Sequence, residues 1–249
     1  MRRFQQTIIL TWLFLMSLSS GLAADTETYE RLLGKNTYVL QEIFYDGFSD
    51  NLANWSAEGN ARVKINERGW LEVEASARRG VAATIWCRNE FEGPQVVEYD
   101  VQLIAGSLFS NVNMFLLASM LEGPGILETG HLRTGDYGEY HVFPNYLITL
   151  LNGTSPAEKR EMLRVRIRLN PDFNLVGETW CEPFVFGRIY HVAYVLQPPK
   201  VGVYLDGRLL KEEVYDVILN KGMHGLRIWS THSIYDNFRV SRIIGPKGN

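Results

Sequence analysis

The segment Val97-Glu98-Tyr99-Asp100-Val101-Gln102-Leu103 alternates strictly, with four apolar residues on one face and Glu98, Asp100 and Gln102 on the other. A period of two is the signature of a half-buried β-strand. The same reading extends in both directions. Arg62-Val63-Lys64-Ile65, Leu71-Glu72-Val73-Glu74-Ala75 and Arg164-Val165-Arg166-Ile167-Arg168-Leu169 all alternate. Leu226-Arg227-Ile228-Trp229 and Phe238-Arg239-Val240 are shorter strands, and the run Val201 to Leu209 is a hairpin turning at Asp206-Gly207. Glu92-Gly93-Pro94, Glu122-Gly123-Pro124-Gly125, Asn152-Gly153, Asn170-Pro171 and Pro198-Pro199 punctuate these runs. Many short alternating strands with no linker, repeat or low-complexity segment predict an all-β fold, one antiparallel β-sandwich of jelly-roll type.

The N-terminus has another character. Met1-Arg2-Arg3 is basic, Ile8 to Leu18 is apolar apart from Thr11 and Ser17, and Gly21-Leu22-Ala23-Ala24 offers small residues for cleavage. This predicts a secretory signal over residues 1–24 and a secreted or periplasmic protein, with no membrane attachment after cleavage. Residues 25–39 are expected to form a lead, as a short helix or loose chain, before a sandwich domain over 40–249. The remaining length of about 225 residues supports one well-buried domain. With 25 Lys and Arg against 28 Asp and Glu, the charge is near balance, which argues against a nucleic-acid partner or a membrane-surface field. Cys87 and Cys181 stand beside Trp86 and Trp180. An oxidising compartment permits a disulfide between them, and buried free thiols suit the same surroundings. Asn54-Trp55-Ser56 and Asn152-Gly153-Thr154 are glycosylation sequons.

The run His131-Leu132-Arg133-Thr134-Gly135-Asp136-Tyr137-Gly138-Glu139-Tyr140-His141 carries two His, an Arg, two Tyr and two acids in eleven residues. These side chains exchange protons near neutrality, donate or accept hydrogen bonds, and neutralise anions. A polar loop with packed Tyr rings is the plain alternative.

Tyr45-Asp46-Gly47-Phe48-Ser49, Trp86-Cys87, the Arg133 to Tyr137 and Tyr140-His141 run, Arg164 to Pro171, and Tyr235-Asp236-Asn237-Phe238-Arg239-Val240 resemble the YesU-like proteins. These are a domain family of unknown function with a concanavalin-A-like jelly roll. The resemblance runs in order over about residues 40–242. It implies the fold, and it implies carbohydrate metabolism by association; fold does not fix function.

Three functions are carried forward. The first is a lyase that cleaves an acidic, uronate-containing polysaccharide or oligosaccharide by β-elimination. It needs a cation on the C6 carboxylate, a base for the C5 proton and an acid for the leaving oxygen. Arg133 is the candidate neutraliser, helped by Arg164, Arg166 or Arg168; His141 is the base and Tyr140 or Tyr137 the acid. If the run were one strand, His131, Arg133, Tyr137 and His141 would share a face. The Arg stripe of residues 164, 166 and 168 otherwise reads as a solvated face paired with acids such as Glu98 and Asp100. The second function is a glycoside hydrolase using Glu98 and Asp100 as paired carboxylates. The third is a non-catalytic carbohydrate-binding protein. Trp86, Arg88, Asn113, Asn145 and Tyr146 complete the substrate-binding candidates. No cofactor is required; a structural calcium between the chain ends, held by Asp46 and Asp236, is the one metal considered.

Overall fold

The computed structural model describes residues 27–49, 51–217 and 219–246; the predicted leader lies outside them. Sixteen strands are described: β1 (Thr28–Leu33), β2 (Asn36–Asp46), β3 (Trp55–Gly59), β4 (Arg62–Ile65), β5 (Leu71–Glu74), β6 (Ala82–Glu92), β7 (Gln95–Leu103), β8 (Val112–Ala118), β9 (Asn145–Thr154), β10 (Glu161–Asn170), β11 (Asn174–Cys181), β12 (Ile189–Gln197), β13 (Lys200–Leu205), β14 (Arg208–Val214), β15 (Lys221–Trp229) and β16 (His232–Pro246). One sheet runs β1-β2-β16-β7-β12-β13-β14, with β5 also on β16 and β4 on β5. The second runs β11-β10-β9-β8-β15-β6-β3. All pairs are antiparallel, and the two sheets form a jelly-roll sandwich.

Alternation places each strand's apolar set in the layer between the sheets. Val97, Tyr99 and Val101 of β7 meet Val112, Met114, Ile148, Val165 and Leu226 of the second sheet in one continuous core. Burial of such side chains is worth about 1.5–3 kcal/mol each and is the main cohesion of the sandwich. The Asp206-Gly207 turn forms where expected, with φ of 49° and 76°, the double positive φ that a two-residue hairpin turn needs.

The N-terminal lead is the first correction. Residues 28–39 form β1 and the start of β2 rather than a helix or loose chain. The hairpin lies over the outer face of the first sheet, where Leu33, Tyr38 and Leu40 pack on Val96, Ala193, Val195 and Tyr204 in a second small core. Gly34 N–H donates to Gly207 O at 2.7 Å and anchors its tip.

Glu98 and Asp100 lie beneath this hairpin. Glu98 takes Arg31 Nε at 2.7 Å and His191 Nε2 at 3.0 Å. Asp100 takes His191 Nδ1 at 2.8 Å and Asn237 Nδ2 at 2.8 Å. Burial opposes charge on His191, but the two carboxylates outweigh it and raise the imidazole to about 9. The bonus is fully present below the ordinary imidazole range and is lost as pH rises through about 9. His191→Gln is therefore expected to lower the melting temperature most near pH 6, with the gap to the wild type closing by pH 10. A gap independent of pH in thermal melts contradicts this assignment.

Candidate functional site

Register across the second sheet aligns its outer-face residues in rows. One row runs Glu178, Arg166, Thr149, Asn113, Arg227, Thr84 and Glu58 over seven neighbouring strands. The next row, two residues away, runs Arg168, Leu147, Phe115, Gly225 and Trp86. The first row is polar and the second largely apolar.

The connection between β8 and β9 covers the apolar row. Tyr140, Phe143 and Ile126 pack on Trp86, Phe115 and Leu147 as a separate small core. Trp86 stacks on Phe115 at 5.3 Å, and Phe115 on Tyr140 at 5.2 Å. Gly225 makes room for the indole, because a Cβ there would meet the Trp86 ring at 2.5 Å.

Arg133 fastens this cover. Its Nε meets Glu58 Oε2 at 2.9 Å, its Nη1 donates to Thr129 Oγ1 at 2.9 Å, and its Nη2 donates to Ile126 O. Trp86 Nε1 also donates to Glu58. Burial raises the Glu58 carboxyl against the pull of these donors. Arg227 Nη2 donates to Gly135 O at 2.8 Å and ties the cover down a second time.

The run 131–141 is thus a pair of 3₁₀ turns, Gly130–Leu132 and Tyr137–Tyr140, and not a strand. Gly135 takes φ +89°, and Asp136 with Glu139 forms a capping box. The strand-parity argument for a shared face therefore fails, and its members separate. His131 is exposed, with Nδ1 on Glu128 O at 2.9 Å. Arg133 is committed to Glu58. Tyr140 is fully buried, and burial raises its hydroxyl to about 12. Tyr137 and His141 remain together, with ring centroids 4.7 Å apart.

The polar row stays open. A cleft of about 310 Å³ is lined by Tyr137, Arg166, Arg227, Trp229, Asn113 and Thr149, with Asn111 and Leu151 beside them. Tyr137 hydroxyl lies 3.3 Å from Thr149 Oγ1, and Arg227 stands 4.7 Å over the Tyr137 ring. Nε of Arg166, Nε of Arg227, and Nε and Nη1 of Arg168 are buried without a protein partner, as are Asn113 Oδ1 and His141 Nε2. Arg227 is 1% exposed and Arg168 7%. Unsatisfied buried charged donors cost folding free energy, and these three arginines gather on one face of the second sheet. Burial and neighbouring guanidinium groups lower Arg166. Burial, then Arg227 and Arg168, also lower His141, so its imidazole is neutral near pH 7.

Other candidates lie elsewhere. Arg164 pairs with Glu178 at 2.6 Å and covers Trp180. Glu98 and Asp100 occupy the opposite sheet and serve neither as partners of the Arg stripe nor as a carboxylate pair in the cleft. Trp86 is 1% exposed and offers no stacking surface. Asn145 is buried, donating to Phe143 O at 2.8 Å and accepting from Asn170 at 3.0 Å. Tyr146 is in the sandwich core, with its hydroxyl on Val217 O and Leu219 N. Arg88 donates to Trp55 O and lines a separate depression beside Glu90 and Met120. Asp46 accepts from Phe48 N, Asn54 Nδ2 and Trp55 Nε1, whereas Asp236 accepts from Asn237 N. The Asp46 oxygens are thus taken by protein donors, and these two carboxylates do not fit a shared calcium. Among the described residues no group of three or more His, Cys, Asp or Glu is placed to hold a metal. Cys87 on β6 and Cys181 at the end of β11 are free thiols near opposite edges of the second sheet.

Arg227 and Thr149 were not singled out from sequence as site residues. Alternation in Leu226 to Trp229 carried the signal, since it puts Arg227 and Trp229 together on the face away from Leu226 and Ile228.

No family model matches the chain, and no curated protein matches it. Solved structures do. A Bacillus subtilis protein of unknown function with a galectin-like fold matches at TM-score 0.66 and 18% identity, over 86% of this chain and 98% of that one. An endo-β-1,3-glucanase from Pyrococcus furiosus matches at TM-score 0.57 and 11% identity, over 87% and 98%. A carbohydrate-binding module from Bacillus subtilis matches at TM-score 0.52 and 14% identity, over 75% and 94%. At these identities the likeness defines the class of fold: a galectin-like, concanavalin-like jelly roll.

Two substitutions separate structural roles from chemistry here. Arg133→Ala leaves Glu58 buried and unpaired, and is expected to cost about 3–5 kcal/mol in denaturant unfolding. Tyr140→Phe removes a hydroxyl that makes no hydrogen bond in the cleft, so stability is expected to change by less than about 1 kcal/mol, with ligand affinity unchanged. A large loss of affinity in Tyr140→Phe returns Tyr140 to the site.

Proposed function

We propose that the chain is a secreted carbohydrate-active protein, related to the YesU-like domains, that takes an acidic glycan in the cleft on the outer face of the second sheet. The observation that carries this reading is the set of guanidinium N–H groups on Arg166, Arg168 and Arg227 that lack a protein acceptor. Carboxylates match guanidinium groups in charge and planar geometry, and charge-assisted pairs of this kind are the strong ones. The glycan class draws further support from the neighbours, which include a carbohydrate-binding module and a glucanase. The unsatisfied guanidinium groups argue for an acidic ligand rather than a neutral glucan.

The same residues supply the parts of a β-elimination. Arg166 and Arg227 would neutralise the C6 carboxylate and so acidify the C5 proton, the role first assigned to Arg133. The neutral imidazole of His141 would take that proton. The C5–H electron pair becomes the C4–C5 double bond as the C4–O bond breaks, and Tyr137 O–H protonates the departing oxygen. The proton on His141 then returns to Tyr137. Binding without cleavage is the second reading, favoured by the enclosed position of His141 Nε2. A hydrolase using Glu98 and Asp100 is not supported, because Arg31 and His191 hold Glu98 while His191 and Asn237 hold Asp100.

Purified mature protein is incubated with acidic polysaccharides and their oligosaccharides, following unsaturated uronate absorbance and binding in parallel. Arg166→Ala is expected to weaken binding more than tenfold, in line with loss of a charge-assisted hydrogen bond worth about 1.5–3 kcal/mol. His141→Ala is expected to retain binding and lose about 10²–10⁴ in elimination rate. Binding without product from any substrate leaves the second reading. Equal affinity of wild type and Arg166→Ala for every acidic glycan contradicts the proposal.

A further inference from the structure

Arg166 and Arg168 point from the same face of β10 two residues apart, so their backbone positions are separated by roughly 7 Å along the strand. Their surroundings differ. Arg166 opens into the cleft beside Arg227 and Trp229. Arg168 lies 4.1 Å over the ring of Phe173, the ring on which His141 stacks at 3.9 Å. Tyr137 stands between these two groups, touching Arg227 at 4.7 Å, His141 at 4.7 Å and Phe173 at 5.4 Å.

Each group carries its own unsatisfied nitrogens: Nε of Arg166 and of Arg227 on one side, Nε and Nη1 of Arg168 with Nε2 of His141 on the other. Glu178, the acid in register with the stripe, is bound to Arg164. Two buried guanidinium groups so close together repel each other, and the repulsion strengthens as water is excluded. One carboxylate in the cleft answers Arg166 and Arg227 and leaves Arg168 as it was.

We infer that this face of the second sheet reads two acid groups of one chain at once, one in the cleft and one beside it, so that its ligand is a contiguous polyuronate and not a glycan with an isolated acid. The inference rests on the acidic-glycan reading above and adds the spacing of the charges. The first acid sits between Arg166 and Arg227. The second sits against Arg168, past the Tyr137 ring. Arg168 is then a specificity-determining residue for the second acid and makes no contact with a ligand that has one.

Calorimetric titration with monomeric galacturonate, digalacturonate and trigalacturonate at one ionic strength tests this. The dimer is expected to bind the wild type at least tenfold more tightly than the monomer. Arg168→Gln is expected to remove that gain. A wild-type dimer no tighter than the monomer, or a loss in Arg168→Gln shared equally by both ligands, overturns the two-acid inference while the acidic-glycan reading stands. No binding of any uronate overturns both. A second measurement is independent of the variant's folding. In NMR spectra of the wild type with ¹⁵N-labelled arginine, the Arg168 Nε signal is expected to move with digalacturonate and stay in place with the monomer. Movement with the monomer, or none with the dimer, likewise overturns the inference.

Discussion

The ion pair between Glu58 and Arg133 fixes what the outer face of the second sheet can do. With side chains 6% and 9% exposed, it is buried, and Trp86 shares the same carboxylate. Such a pair contributes little net stability over an apolar replacement, but breaking one side of it is costly. Its consequence is positional. It holds the β8–β9 connection over the apolar row, and the cleft is the polar row that this cover leaves bare. Arg227 joins the two, since one of its N–H groups ties down Gly135 while its Nε remains unsatisfied in the cleft wall.

The two sheets divide their charges differently. On the first, Arg31 is paired with Glu98, and His191 with Glu98 and Asp100. That network is architecture. On the second, Arg164 is answered by Glu178, whereas Arg166, Arg168 and Arg227 retain donors with no acceptor.

Strands such as β4, β7 and β10 were legible because period-two alternation reports directly which face is buried. The turn at Asp206-Gly207 was legible because its chemistry demands positive φ. The stretch 131–141 takes its polar-loop reading, with Tyr140 packed and His131 exposed, and not the strand reading on which the shared face rested. Its composition suggested chemistry, but parity applies to strands, and Gly135 followed by the Asp136–Glu139 box makes turns. That box was visible in the sequence; its Asp-x-x-Glu spacing was not weighed against the strand reading. The N-terminal hairpin was missed because Leu33, Tyr38 and Leu40 are buried in one cluster with Val96, Ala193, Val195 and Tyr204, all distant in sequence, which no local pattern reports. Arg227 was missed as a site residue for the same reason: alternation gives its face, and only the order of β8, β15 and β6 places it opposite Asn113 and Thr84.

The central claim is that unsatisfied guanidinium groups on the second sheet hold the carboxylates of a glycan. A crystal structure of the protein with an oligouronate bound tests it most directly. The account predicts a sugar carboxylate within about 2.7–2.9 Å of guanidinium nitrogens of Arg166 or Arg227, with the Glu58–Arg133 pair intact beneath the cover. An oligouronate seated elsewhere, with those arginines untouched, contradicts it.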